Sequence, residues 1–213
     1  MIAYASRTGT RRNLEALRRA GWRIMVSAKG VLRTEGFKYA LDNGAWWAFN
    51  KGVPFDATAF LAAFDKLGGG ADFVVLPDIV AGGVRSLEFS LEWKRRLWQK
   101  CPFYLAVQDG MSTTTVAPHI GWGTGIYGIF VGGTTEWKER TMQDWGKLTQ
   151  EKNCRLHVGR VNSARRIHLC EAAGANSFDG SSVSRYAVSL PKLENARQQK
   201  ELPWGLAKRA IRC

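Results

Sequence analysis

The chain has 213 residues, 45% of them hydrophobic, and its 31 Lys plus Arg against 18 Asp plus Glu give a formal net charge of +13. This length predicts one domain spanning 1–213 around a single core. The sequence holds no apolar run of roughly 18 residues and no apolar signal-peptide core near its start, so we expect a soluble cytoplasmic protein without membrane contact. The positive excess favours nucleic acid as partner, and a charge that only keeps the surface soluble is the alternative.

Eight short apolar segments bounded by turn residues predict β-strands. In chain order they span 2–6, 23–28, 39–44, 73–78, 103–108, 125–132, 155–161 and 177–181. Segments with helical spacing alternate with them, at 10–20, 56–67, 83–100, 137–152, 163–173 and 191–211. The alternation predicts a parallel sheet, and eight strands predict closure into one (β/α)8 barrel, with helices reduced or missing after the second and fifth strands. A doubly wound open sheet is the alternative.

Helix starts and stops support this assignment. Asp56 and Ser163 stand where they can cap helices, and Gly21 and Gly174 stand where helices end. Pro203 should break or kink the basic C-terminal helix.

The cysteines stand singly, without a C-x-x-C pair, so neither a zinc ribbon nor a disulfide framework is indicated. They are Cys101, Cys154, Cys170 and Cys213. We expect buried free thiols there.

Polar residues and glycines end most of the predicted strands from the third onward. They are Asp42, Asp78, Gln108, Asp109, Gly132, Gly133 and Asp179. In a barrel these positions face the active site, although a single Asp at such a junction is more simply a cap or turn residue. Two facing carboxylates can divide labour, one attacking an anomeric carbon while the other moves protons. The glycines admit a flat ring close to the backbone, and Trp46, Trp47 or Tyr127 could stack on it.

Six motifs in this order resemble the tRNA-guanine transglycosylase superfamily. They are DNGAW at 42–46, LPD at 76–78, AVQDG at 106–110, GIFVGG at 128–133, LHVG at 156–159 and SFD at 177–179. The resemblance implies that Asp179 is the nucleophile and Asp42 the general acid/base. It further implies base recognition by four residues: Asp78, Gln108, Gly132 and Gly133. His157 is expected near this site, and Arg185 follows the nucleophile as an Arg does in the family.

The family's C-x-C-x-x-C zinc cluster has no counterpart, since Cys213 is the last residue and stands alone. The reduced form resembles the branch of bacteriophages and bacteria that inserts 7-deazaguanine bases such as preQ0 into DNA. The implied partners are therefore DNA and that base, with no metal or redox cofactor and with a homodimer or accessory protein as a further partner.

Seven arginines on predicted loops or helix starts are candidates for phosphate contact. They are Arg7, Arg11, Arg12, Arg160, Arg165, Arg166 and Arg185. Three alternatives stay open: the same exchange on tRNA, a hydrolase in which water replaces the incoming base, and a non-catalytic nucleic-acid-binding barrel.

Overall fold

The computed structural model describes residues 1–98, 101–186 and 188–199, and its centre is a closed barrel of eight parallel strands in sequence order. The strands are β1 (Ile2–Ser6), β2 (Arg23–Ser27), β3 (Tyr39–Asp42), β4 (Val74–Val75), β5 (Phe103–Val107), β6 (Ile126–Val131), β7 (Arg155–Val158) and β8 (Ser177–Gly180). β1 pairs with both β2 and β8, which closes the sheet. The predicted (β/α)8 barrel is confirmed and the open sheet is wrong.

Helices follow most strands and surround the barrel. They are α1 (Arg11–Arg19), α2 (Ala45–Lys51), α3 (Ala57–Leu67), α4 (Val84–Arg96), α5 (Thr113–Val116), α6 (Thr135–Glu151), α7 (Ala164–Ala172), α8 (Ser182–Arg185) and α9 (Ser189–Gln198). Residues 28–38, after β2, contain no helix, and β5 is followed only by the single turn of α5 and a 3-10 turn. Both reduced connections were predicted.

Several predicted boundaries are wrong. β3 ends at Asp42 instead of 44, because Gly44 adopts φ 84° and starts α2, a helix that the sequence analysis missed. Gly52, at φ 63°, ends it.

α9 starts at Ser189, before the expected 191. The rest of that predicted helix, with Pro203 and Cys213, lies outside the described residues, as do residues 99 and 100 of the predicted fourth-strand helix.

The predicted caps are confirmed. Asp56 accepts a hydrogen bond from the backbone N–H of Ala59, and Ser163 accepts one from Arg166. Gly21 and Gly174 end their helices with φ of 67° and 73°.

The core has two layers. The larger one packs the outer face of the sheet against the helices, with Trp22, Phe60 and Trp145 among its buried side chains. The smaller one fills the barrel from within, where the rings of Phe73 and Tyr104 stack with centroids 4.0 Å apart. This interior filling closes the barrel below its C-terminal end and leaves that end open.

A paired charge cluster lies at the N-terminal end of the barrel. Asp72 accepts a hydrogen bond from the Tyr4 hydroxyl at 2.9 Å and forms an ion pair with Arg23 at 2.9 Å. Burial, followed by the charge of Asp72, raises the pKa of Tyr4. The Tyr4 hydroxyl is therefore a stable donor to this carboxylate.

Of the described cysteines, Cys170 is buried as expected, whereas Cys101 and Cys154 are only partly buried. Across the described ranges, the helices are all too short or too polar to cross a membrane.

Candidate active site at the C-terminal end of the barrel

A cavity of about 700 Å³ opens at the C-terminal ends of the strands. It brings together all six residues predicted for catalysis and base binding, and three of the seven predicted arginines: Asp42, Asp78, Gln108, Gly132, Gly133, Asp179, Arg7, Arg160 and Arg185. The parallel barrel explains this convergence, because every strand ends at the same rim.

Asp42 ends β3 and lies deep in this cavity. Burial raises its pKa to about 6, and the nearby charge of Asp179 contributes in the same direction. Hydrogen bonds from Ser27 and from the Gly44 backbone N–H, the latter at 3.2 Å, act against the shift. Asp42 can therefore gain and lose a proton near neutral pH, as a general acid/base must.

Asp179, on β8, is held by a chain of three side chains. Its Oδ1 lies 3.1 Å from Nε2 of His157, and Nδ1 of His157 lies 2.9 Å from the Ser177 hydroxyl. His157 has no exposed surface and stacks on Phe130 with centroids 4.8 Å apart. Within the part of the chain that the structure describes, Oδ1 is the only carboxylate oxygen of Asp179 with a hydrogen bond. The imidazole thus fixes one oxygen and leaves the other available.

Two cations lie near Asp179. Lys138, on α6, is buried and donates a hydrogen bond to the Gly159 carbonyl. Burial and the nearby Arg160 lower the pKa of Lys138 to about 8, while the charge of Asp179 opposes that change. Arg160 donates a hydrogen bond to the Gly133 carbonyl. Burial lowers the pKa of Arg160, and the negative charge of Asp179 acts against that change. Lys138 was not predicted, because a lysine on an amphipathic helix normally reaches solvent.

Asp78 belongs to a network with Asn43 and Gln108. The Asn43 amide donates to Asp78 Oδ1 at 2.8 Å and to the Leu76 carbonyl at 2.7 Å. Burial raises the pKa of Asp78 to about 6; Asn43 acts against the shift and Asp42 adds to it. Asn43 was not among the predicted site residues, although it follows Asp42 directly in the sequence.

The side-chain amide of Gln108 makes most of its hydrogen bonds to other groups of the protein. Its Oε1 accepts from the Ala81 N–H at 2.6 Å, and its Nε2 donates to the Ser86 hydroxyl at 2.7 Å and to the Ile79 carbonyl at 2.8 Å. Gln108 is buried, and it ties residues 79–81 to the cavity wall.

Position 133 requires glycine because of its backbone conformation and its close neighbours. Its φ is 71°, and an added Cβ would lie 2.5 Å from Oδ2 of Asp109. Asp109 accepts hydrogen bonds from the Thr134 N–H and hydroxyl, both at 2.7 Å, so it shapes the turn before α6. In the described parts of the chain, the Gly133 N–H has no acceptor.

The predicted arginines divide into two groups. Arg7, paired with Glu35 at 2.6 Å, lines the cavity with Arg160 and Arg185. The other four do not line it: Arg11 pairs with Glu15, Arg165 and Arg166 both pair with Glu139, and Arg12 is exposed.

The fold and the cavity define the chain as a (β/α)8 barrel with acidic groups at its open end, a class whose members are commonly enzymes. Among solved structures it is similar to RipC from Yersinia pestis, with a TM-score of 0.56, 8% identity, and coverage of 94% of this chain and 96% of that one. At this identity the likeness shows the fold alone. No protein-family model and no curated protein matches the sequence.

Proposed function

We propose that this protein is a guanine transglycosylase that replaces guanine in DNA with a 7-deazaguanine base of the preQ0 type. One observation carries the proposal: two carboxylates share one cavity but have different surroundings. Asp179 is hydrogen-bonded to an imidazole beside two cations, whereas the pKa of Asp42 is raised to about 6. Such divergent environments suit a nucleophile and an acid/base.

In the first step an oxygen of Asp179 attacks the anomeric carbon, and the bond from that carbon to guanine breaks. Asp42 gives its proton to the departing base, so the base leaves neutral. The products are a covalent sugar ester on Asp179 and an ionised Asp42. Before the attack, the positive charges of Lys138 and Arg160 stabilise the negative charge of the Asp179 carboxylate.

In the second step the incoming 7-deazaguanine loses its ring N–H proton to Asp42. Its nitrogen then attacks the anomeric carbon and displaces Asp179. The glycosidic bond is restored and both carboxyl groups return to their starting states. The same pair of groups therefore serves both directions, as microscopic reversibility requires.

Base recognition is assigned to Asp78, Gln108, Gly132 and Gly133. Asp78 and the Gly133 N–H, which has no acceptor among the described residues, offer an acceptor and a donor to the edge of a purine. Gln108 acts by ordering residues 79–81, since its amide is largely used there. A buried polar site of this kind rejects a base that leaves its groups unpaired.

DNA as the polymer is supported by the net charge of +13 and by the arginines at the rim of the cavity. The choice of DNA over tRNA follows the motif resemblance given in the sequence analysis, in which the form without a cysteine cluster resembles the DNA-modifying branch.

The test is incubation of the purified protein with preQ0 and double-stranded DNA, single-stranded DNA or tRNA, followed by digestion and mass spectrometry of the nucleosides. The matched control is Asp179→Asn. We expect deazaguanosine in DNA and none with the variant. Incorporation into tRNA alone would show that the substrate is tRNA and not DNA. Release of guanine without incorporation would show that the protein is a hydrolase.

A further inference from the structure

An exposed aromatic surface borders the mouth of the cavity. Trp46 and Phe49, both on α2, are 43% and 52% exposed, and Val31, after β2, is 55% exposed. All three line the cavity. We call these three residues the aromatic rim.

The aromatic rim has the geometry of a stacking surface. Trp46 and Phe49 are three positions apart, so they share one face of the helix, and their rings are stacked with centroids 5.7 Å apart and 25° between planes. The glycines at both ends of α2 hold this short helix directly beside Asp42.

Cations accompany these rings. The Arg160 guanidinium lies 4.2 Å from the centroid of Trp46. Arg185 is exposed at the same mouth and makes no ion pair with any residue in the described ranges. An aromatic face beside cations complements a nucleotide, whose base stacks and whose phosphate is attracted by the positive charge.

We propose that the aromatic rim binds bases of an unpaired strand next to the reacting nucleotide, so that the substrate is single-stranded or locally opened DNA. The inference rests on the proposed function for the choice of DNA. Asp42 and Asp179 line the cavity, so the target nucleotide must leave its base stack to reach them. Stacking of the neighbouring bases on the aromatic rim offsets the stacking energy that these bases lose. A paired duplex cannot use the rim in this way, because its bases are already stacked on each other.

The test is fluorescence anisotropy with a labelled guanine-containing oligonucleotide, single-stranded or annealed to its complement, at fixed salt and without preQ0. The variants are Phe49→Ala and Phe49→Leu, because leucine keeps apolar bulk but has no ring. Trp122→Ala is the matched control, since Trp122 is 94% exposed but lies before β6, at the other end of the barrel.

We expect the single strand to bind at least about tenfold more tightly than the duplex, and both Phe49 variants to weaken it by about tenfold. Trp122→Ala should leave binding within about twofold, and Phe49→Ala should keep the salt dependence, since no phosphate contact is removed. Equal or tighter duplex binding would overturn the inference, as would equal losses in Phe49→Ala and Trp122→Ala.

The outcome is separable from that of the proposed function. If the protein exchanges bases but its Phe49 variants bind DNA normally, the stacking role of the aromatic rim is refuted and the proposed base exchange stands. If the Phe49 variants selectively lose single-strand binding but the protein never exchanges bases, the stacking role stands and the proposed base exchange is refuted.

Discussion

The carboxylates at the two ends of the barrel have different partners and different surroundings. At the N-terminal end, Asp72 has a cation and a hydroxyl as direct partners, both at 2.9 Å. At the C-terminal end, Asp42 and Asp78 have hydrogen-bond donors but no ion pair within the described residues, and burial raises the pKa of each to about 6.

This difference separates a structural charge from a reactive one. Asp72 stabilises the fold through its ion pair and its hydrogen bond, whereas a desolvated carboxylate without a cation can exchange protons near neutral pH. The same side-chain chemistry therefore serves stability at one end and, in our proposal, catalysis at the other.

The largest expected effect is at Asp179. Asp179→Asn should lower base exchange by at least about 10³-fold, because an amide cannot form the sugar ester while it can still accept from His157. Asp72→Asn is the opposite case and should reduce stability by about 1–3 kcal/mol while exchange stays within a few-fold. Exchange rates and urea unfolding measure the two effects. Substantial exchange by Asp179→Asn would remove that residue from the nucleophile role.

Next in size is the effect at His157. Without its N–H, Asp179 loses its orientation, so His157→Phe should lower kcat by about 10²-fold with little change in KM. His157→Gln keeps a donor for Asp179 and should recover part of the loss. If His157 served only packing, the ranking would reverse, because Phe keeps the aromatic stack on Phe130 and Gln does not.

A pH effect follows from Asp42. Only its protonated form can protonate departing guanine, so single-turnover release should fall about tenfold per unit as the pH rises above about 6. Asp42→Asn should release guanine slowly and without this dependence. A wild-type profile that rises through the same range would contradict the acid role.

The smallest effects concern stability. A folded pKa of about 6 for Asp78, above the usual value of about 3.9 for Asp, means that its stabilising contribution is present below about pH 4 and lost as the pH rises through 6. Asp78→Asn should therefore gain about 1–3 kcal/mol relative to the wild type between pH 4 and pH 7.5, measured by urea unfolding. Tyr4→Phe, at the paired end, should lose about 1 kcal/mol at both values. An identical Asp78→Asn difference at both pH values would argue against a desolvated charge.

The sequence by itself determined the barrel and the positions from which its site is built. Alternating strands and helices predicted a parallel sheet, the count of eight strands favoured a closed barrel over an open sheet, and the caps at Asp56 and Ser163 are local hydrogen bonds. Because parallel strands end at one rim, Asp42, Asp78 and Asp179 could be expected to meet there. Such features depend on neighbours in the chain or on the geometry of the fold class.

Only the tertiary structure decided the surroundings of these groups. The His157 contact to Asp179 depends on the register that pairs His157 with Ser177, the Gln108 amide is taken by residues 79–81, and Lys138 is buried against Gly159. These contacts join residues that are 20 to 30 positions apart, so no local pattern encodes them. A side chain's chemistry is written in the sequence, but its partners, desolvation and pKa depend on packing around the closed barrel.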